Sequence, residues 1–256
     1  MGEHTIREIL KRRSPDTQRA MQRRRELAQG GGRGSLLPKL VILAVVLGIL
    51  GYVGYLGWTA HAAGQDFAAR KAARVHPLAL AGTTEFLPNT LLASIDPAFY
   101  NASGMSGSLL TKRLMRLYHP DASGLELRVM AVSIEAQYPK TDIMESFIND
   151  VPMGAGVKGL PAASMAYFGK PFELLGPQDI ALLVGIAQDP QGFDPHIAQD
   201  KALAARNVVL QADLQQNVLS QAQVDNLSKM PLDVVAAAPA AQPAAPAPAA
   251  TTHPAH

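Results

Sequence analysis

The stretch that decides the fold is IEAQYPKTDIMESFINDVPMGAGVKGLPAASMAYFGK, from Ile134 to Lys170. Pro139 ends one helix, because proline lacks a backbone donor and restricts the residue before it. The next helix has an apolar face made by Ile143, Met144, Phe147 and Ile148. Pro152 stops that helix, and three glycines then allow the backbone to cross tightly. An alanine-rich helix, whose small side chains allow close packing, then ends at Gly169. The stretch therefore predicts a lobe of closely packed helices.

Charge and hydropathy divide the rest of the chain. The formal net charge is +2, but residues 1–39 hold ten lysines and arginines against four acids. No charged residue occurs from Leu40 to Trp58, and about 20 apolar residues span a bilayer core. The sequence therefore predicts one transmembrane helix in a lipid bilayer. The basic flank predicts a cytoplasmic N-terminus, with the main domain in the periplasm outside a bacterial inner membrane.

Five segments follow from this pattern. They are a basic cytoplasmic segment (1–39), a transmembrane helix (40–58), a stalk of mixed charge (59–75), a helical domain (76–232) and a disordered Ala/Pro-rich tail (233–256). The basic segment either lies against anionic lipid or forms a solvated tail that fixes topology. No nucleic-acid-binding fold accompanies its charges, so nucleic acid is not an expected partner. Cysteine is absent and the seven histidines are scattered, so no metal or cofactor is expected.

Two runs carry a family resemblance. The K-x-x-I-x-E-x-x-x-N run at Lys140–Asn149 and the G-x-x-A-A-x-x-x-Y-F-G-K run at Gly159–Lys170 resemble the peptidoglycan glycosyltransferases of family 51. These are the transglycosylase domains of class A penicillin-binding proteins and monofunctional transglycosylases. The resemblance covers roughly residues 88–232. It implies a mainly α, lysozyme-like domain and a role in polymerising lipid II.

The catalytic positions of the resemblance are eroded. In the first family motif a glutamate acts as general base, and its position here holds Ile95, with Asp96 beside it. The second catalytic glutamate is replaced by Leu127. The remaining candidates for acid/base catalysis are Asp96, Glu126 and Glu135. Glu126 is one residue from the family position, which turns its side chain by roughly 100° on a helix.

A second family motif, G-G-S-T-I-T-Q-Q-L, follows the first motif almost directly in this chain. The family's jaw segment, which grips the substrate and lies between these two motifs, is therefore expected to be largely missing. The two glutamines of the second motif are Lys112 and Arg113 here. Substrate-binding candidates across the motifs are Ser108, Thr111, Lys112, Arg113, Lys140 and Asn149. The alternative is a helix N-cap at Ser106 or Ser108 followed by a basic, solvated face.

Three hypotheses result. The favoured one is a pseudoenzyme that serves as a binding or scaffolding module of the peptidoglycan machinery, with other cell-wall or membrane-complex proteins, glycan or lipid II as partners. The second is a divergent, active transglycosylase. The third is a structural subunit of a membrane complex, in which the domain is only a spacer.

Overall fold

The structure is a computed structural model that describes residues 19–20, 22–24, 36–102, 107–154 and 156–236. Most of the predicted basic segment, the glycines at 104 and 30–32, Ser106 and the tail beyond residue 236 lie outside these ranges. The described part is helical and has no strand, which confirms a mainly α fold. Its helices are α1 (Leu36–Ala73), α2 (Phe86–Ile95), α3 (Leu109–Tyr118), α4 (Gly124–Gln137), α5 (Lys140–Asp150), α6 (Leu160–Phe168), α7 (Pro177–Ile186), α8 (Gln199–Gln215) and α9 (Gln221–Ser228).

The chain divides into two compact units, residues 1–55 and 56–256. The described part of the first unit is dominated by the beginning of α1, whose leucine, isoleucine and valine side chains are exposed. The whole helix has 38 residues and a window of mean hydropathy 2.4, so it is long and apolar enough to cross a membrane. This agrees with the span predicted at residues 40–58.

In the second unit, the last turns of α1 are part of the domain core. Ala63 and Phe67 are fully buried, and the Phe67 ring lies 4.5 Å from that of Tyr138 between centroids. The Tyr138 hydroxyl donates a hydrogen bond of 3.1 Å to the Gly64 carbonyl. The segment 59–75, which the sequence separates as a stalk, thus packs against α4 within the same unit.

The centre of the domain is α7. Every residue from Asp179 to Ile186 is buried, because α8, α2, α6 and α9 all pack around this helix. Apolar residues on all sides of a helix are typical of such a central position. Helices α3, α4 and α5 form the neighbouring lobe, with α3 against both others.

The decisive stretch folds as the sequence predicts. Helix α4 ends at Gln137 and α5 at Asp150, just before the two prolines at 139 and 152. Gly159 begins α6 with φ of +78°, and a Cβ there would lie 2.4 Å from the Asn149 carbonyl oxygen. Only glycine fits this crossing, since it combines a positive φ with direct backbone contact. Gly169 ends α6 in the left-handed conformation, with φ of 64°.

Candidate functional site

The retained motif residues meet where α3 begins. Ser108 is the N-cap of α3, and its hydroxyl accepts a hydrogen bond of 3.1 Å from the Thr111 backbone. The hydroxyls of Ser108 and Thr111 are also 2.6 Å apart. Gly107, with φ of +61°, lets this turn approach α4, because a Cβ there would lie 2.9 Å from the Ala131 Cβ. The serine predicted as a possible cap therefore does cap the helix.

Glu135, at the end of α4, joins this turn to α5. Its carboxylate accepts a 2.7 Å hydrogen bond from the Ser108 backbone and lies 2.9 Å from the Lys140 ammonium. Burial of the carboxyl raises its pKa, but hydrogen bonds from Thr111, Ser108 and Lys140 outweigh burial, so the pKa of Glu135 is lower than usual. It is therefore an ionised group that is stabilised by its surroundings.

Lys140 completes what we call the motif cluster: Phe99, Ser108, Thr111, Glu135 and Lys140. Its ammonium lies 4.6 Å from the centre of the Phe99 ring, within the range of a cation–π contact. The structure thus brings four of the sequence-predicted site residues together, namely Ser108, Thr111, Glu135 and Lys140.

The two positions that the resemblance assigns to acid/base catalysis, Ile95 and Leu127, are apolar and buried. Ile95 is 4% exposed and Leu127 is 6% exposed, and both belong to the hydrophobic core. The carboxylates next to them have other contacts. Asp96 is buried and accepts a 3.0 Å hydrogen bond from the Leu110 backbone near the start of α3. Glu126 accepts from the Ser123 backbone at 2.6 Å, in a capping box at the start of its own helix.

The remaining predicted site residues lie apart from the cluster. Asn149 donates to the Leu78 carbonyl at 2.9 Å and accepts from the Leu78 backbone at 2.8 Å, so it ties the segment after α1 to α5. Lys112 and Arg113 are partly exposed on α3. Arg113 lines an open, mostly apolar pocket of about 360 Å³, together with Phe147 and residues of the segment that follows α7.

One cluster of polar side chains, Arg74, Tyr118 and Asp150, was not predicted as a site. Arg74 forms an ion pair of 2.6 Å with Asp150, and the Tyr118 hydroxyl contacts the same carboxylate. These residues are 76 and 32 positions apart in the chain, and no local pattern links them. Among the described residues, no group of three or more His, Cys, Asp or Glu side chains is placed to hold a metal.

Comparisons with known proteins agree with this architecture. Residues 107–213 match the family model "Transglycosylase". Penicillin-binding protein 1B of Escherichia coli is 31% identical over 182 residues, which are 60% of this chain and 22% of that protein. Penicillin-binding protein 2D of Bacillus subtilis is 35% identical over 101 residues, 40% of this chain and 15% of that protein. The chain therefore spans about a fifth of these relatives' length or less.

Among solved structures, this chain is similar to the crystal structure of penicillin-binding protein 1A from Haemophilus influenzae. The match covers 64% of this chain and 19% of the other chain. Its sequence identity is 21% and the TM-score is 0.44.

Proposed function

Since the chain carries a transglycosylase domain of glycosyltransferase family 51, we propose that it is a non-catalytic binding module of the peptidoglycan machinery. Helix α1 anchors it in the inner membrane of a bacterium, with the N-terminus in the cytoplasm and the domain in the periplasm. Alkaline phosphatase fused after the domain tests this orientation. Phosphatase activity in intact cells is the expected result, and an inactive fusion contradicts it.

The observation that carries the proposal is the burial of Ile95 and Leu127 at the two acid/base positions. Transglycosylation needs one group to remove a proton from the acceptor hydroxyl and another to assist the leaving diphosphate. Each such group contributes typically ~10²–10⁴-fold to the rate. Neither side chain can transfer a proton, and both are core residues.

The neighbouring carboxylates are poor replacements for the missing groups. Asp96 and Glu126 each accept a backbone hydrogen bond at the start of a helix. Glu135 is ion-paired with Lys140, and its lowered pKa makes it a weak base at neutral pH. The three residual candidates therefore act in the fold rather than in proton transfer.

Polymerisation of lipid II by the purified full chain tests the loss of catalysis. We expect no glycan chains above background, with an active family 51 enzyme as the positive control. The decisive variants are Asp96→Asn and Glu135→Gln, which keep the shape of each side chain. Glycan chains that disappear in either variant would show an active transglycosylase and overturn the proposal.

Binding is proposed at the pocket beside Arg113, where two cations, Arg113 and Arg116, border mostly apolar walls. Such a pocket fits a glycan or the anionic, amphipathic lipid II. Co-sedimentation with purified sacculi, and pull-down of lipid II, compare the native chain with Arg113→Gln and with the distant control Lys229→Gln. We expect about tenfold weaker binding only for Arg113→Gln, and equal retention of all three proteins contradicts this site.

A further inference from the structure

A second polar site lies between the end of α1, α5 and the start of α6. Two pockets of about 290 Å³ and about 200 Å³ adjoin here, because Arg74 and Lys158 line both. We call them together the basic cleft, whose polar residues are Arg70, Arg74, His76, Tyr118, Asn149, Asp150 and Lys158. No residue of the motif cluster lines it, although Asn149, the last residue of the K-x-x-I-x-E-x-x-x-N run, does.

Arg74 is held rigidly in the basic cleft. Its Nε donates to Asp150 Oδ1 at 3.1 Å, and its Nη2 donates to Asp150 Oδ2 at 2.6 Å and to the Tyr118 hydroxyl at 3.1 Å. A guanidinium has five N–H donors, so these three bonds leave the two donors of Nη1 without a partner among the described residues. Burial lowers the pKa of Arg74 but Asp150 raises it more, so the side chain stays charged.

Two further cations complete the walls. Lys158 is exposed and forms no hydrogen bond or ion pair with any described residue. Arg70 uses its Nε for Asp66, at 2.8 Å, and its guanidinium lies 4.4 Å from the centre of the Tyr118 ring. The ring and the ion pair fix the plane of this guanidinium, while its terminal amino groups have no partner among the described residues.

The charges of the basic cleft do not balance. The three cations Arg70, Arg74 and Lys158 line the cleft with one acid, Asp150, and Asp66 pairs with Arg70 from outside it, which still leaves one positive charge. Asp150 does not repel an anion strongly, because Arg74 and Tyr118 occupy both of its oxygens. Ordinary surface cations are separated by solvent, whereas these line a concave site whose larger part, about 290 Å³, is close to the lower end of ligand-pocket sizes, roughly 300–1,000 Å³.

We propose that the basic cleft binds the phosphate group of a small phosphorylated ligand. A planar guanidinium fork matches two phosphate oxygens, and an ammonium adds a compact charge. The two Nη1 donors of Arg74 can each bind a phosphate oxygen, and Arg70 and Lys158, which line the larger pocket with Arg74, add two further positive charges. The unfilled remainder of the cleft has room for a group about the size of a sugar. This site does not depend on whether the domain is catalytic.

Calorimetric titration of the full chain in phosphatidylcholine nanodiscs tests the site. The probes are glucose 6-phosphate and inorganic phosphate, with glucose as the uncharged control. We expect saturable binding of glucose 6-phosphate, no binding of glucose, and about tenfold weaker binding in Arg70→Gln and in Lys158→Gln. Both substituted side chains are exposed, so the fold should persist, and circular dichroism verifies this. Lys229→Gln, on the exposed end of α9, is the matched control.

The source of the phosphate is distinguished by changing the lipid. Unchanged binding in phosphatidylglycerol nanodiscs assigns the basic cleft to a soluble ligand. A lipid phosphate is the ligand if phosphatidylglycerol weakens the binding of glucose 6-phosphate to the basic cleft. This weakening should then be relieved in Lys158→Gln but not in Lys229→Gln. Absence of saturable binding in both kinds of nanodisc, or equal affinity of the native chain and the two cleft variants, overturns the proposal.

Discussion

A buried carboxyl at the centre of the domain makes stability depend on pH. Asp213 of α8 is fully buried and accepts a 3.0 Å hydrogen bond from the Thr90 hydroxyl of α2. Its Oδ1 has no hydrogen-bond partner among the described residues. Burial raises the pKa of Asp213 to about 6, against the opposing effect of Thr90, from an ordinary value of 3.8. A carboxylate here is therefore costly at neutral pH.

The direction in which stability changes with pH follows from proton linkage. Between pH 4 and pH 6 the folded protein holds the Asp213 proton while the unfolded chain has released it. The unfolded state therefore binds fewer protons, so stability falls as pH rises. The loss is complete above the folded pKa and absent below the unfolded one. A shift of about two pKa units corresponds to roughly 3 kcal/mol, since one unit is about 1.36 kcal/mol.

The perturbation is Asp213→Asn, which keeps an acceptor for Thr90 and removes the ionisation. Urea unfolding of the full chain in detergent, followed by circular dichroism, gives the free energy of unfolding from pH 4 to pH 7.5. The stability of the variant minus that of the native chain should increase by roughly 3 kcal/mol over this interval. The exposed Asp121→Asn is the control and should show little change. A difference for Asp213→Asn that is the same at pH 4 and pH 7.5 would refute the reasoning.

Two other predictions concern unfolding free energies measured in the same way. Gly159→Ala should lose roughly 2–4 kcal/mol and Gly156→Ala only about 1 kcal/mol, because both have positive φ but only Gly159 touches backbone; equal losses contradict this explanation. Arg206→Lys should lose about 2–3 kcal/mol, because the buried guanidinium donates to the carbonyls of Ser228 and Met230 and an ammonium cannot span both. A loss below about 0.5 kcal/mol would show that these bonds contribute little.

The parts of the fold that follow from the sequence are those with local signals. Pro139 and Pro152 end helices, Gly159 and Gly169 require positive φ, and Ser108 caps the helix that follows it. Each of these effects acts within four or five residues, so it can be recognised without knowledge of the tertiary structure. The membrane-length helix is predictable for the same reason, because uninterrupted hydropathy is a local property.

The contacts that the sequence did not predict are long-range. The mixed charge of residues 59–75 predicts a helical stalk, and nothing in that composition indicates that the Phe67 ring is buried against Tyr138. Asp213 occurs in a helix with an amphipathic pattern, where an acid is expected on the solvated face. Arg206 donates to Asn207 Oδ1 and to the carbonyl oxygens of Ser228 and Met230 at the end of α9, and no local pattern links α8 to those carbonyls. Only the packing of distant segments determines these partners.

The motif cluster shows what its residues contribute to the fold. Ser108 caps α3, Glu135 accepts from its backbone, and Lys140 neutralises Glu135. Removing one partner leaves a half-buried charge or donor unsatisfied, which costs about 1–3 kcal/mol. The fold alone therefore constrains these residues. Ile95 and Leu127 are apolar members of the hydrophobic core, and our proposal is that this burial serves the fold at the expense of proton transfer. The motif cluster therefore reports the architecture of the lobe, and the polymerisation of lipid II is the measurement that tests whether proton transfer is lost with Ile95 and Leu127.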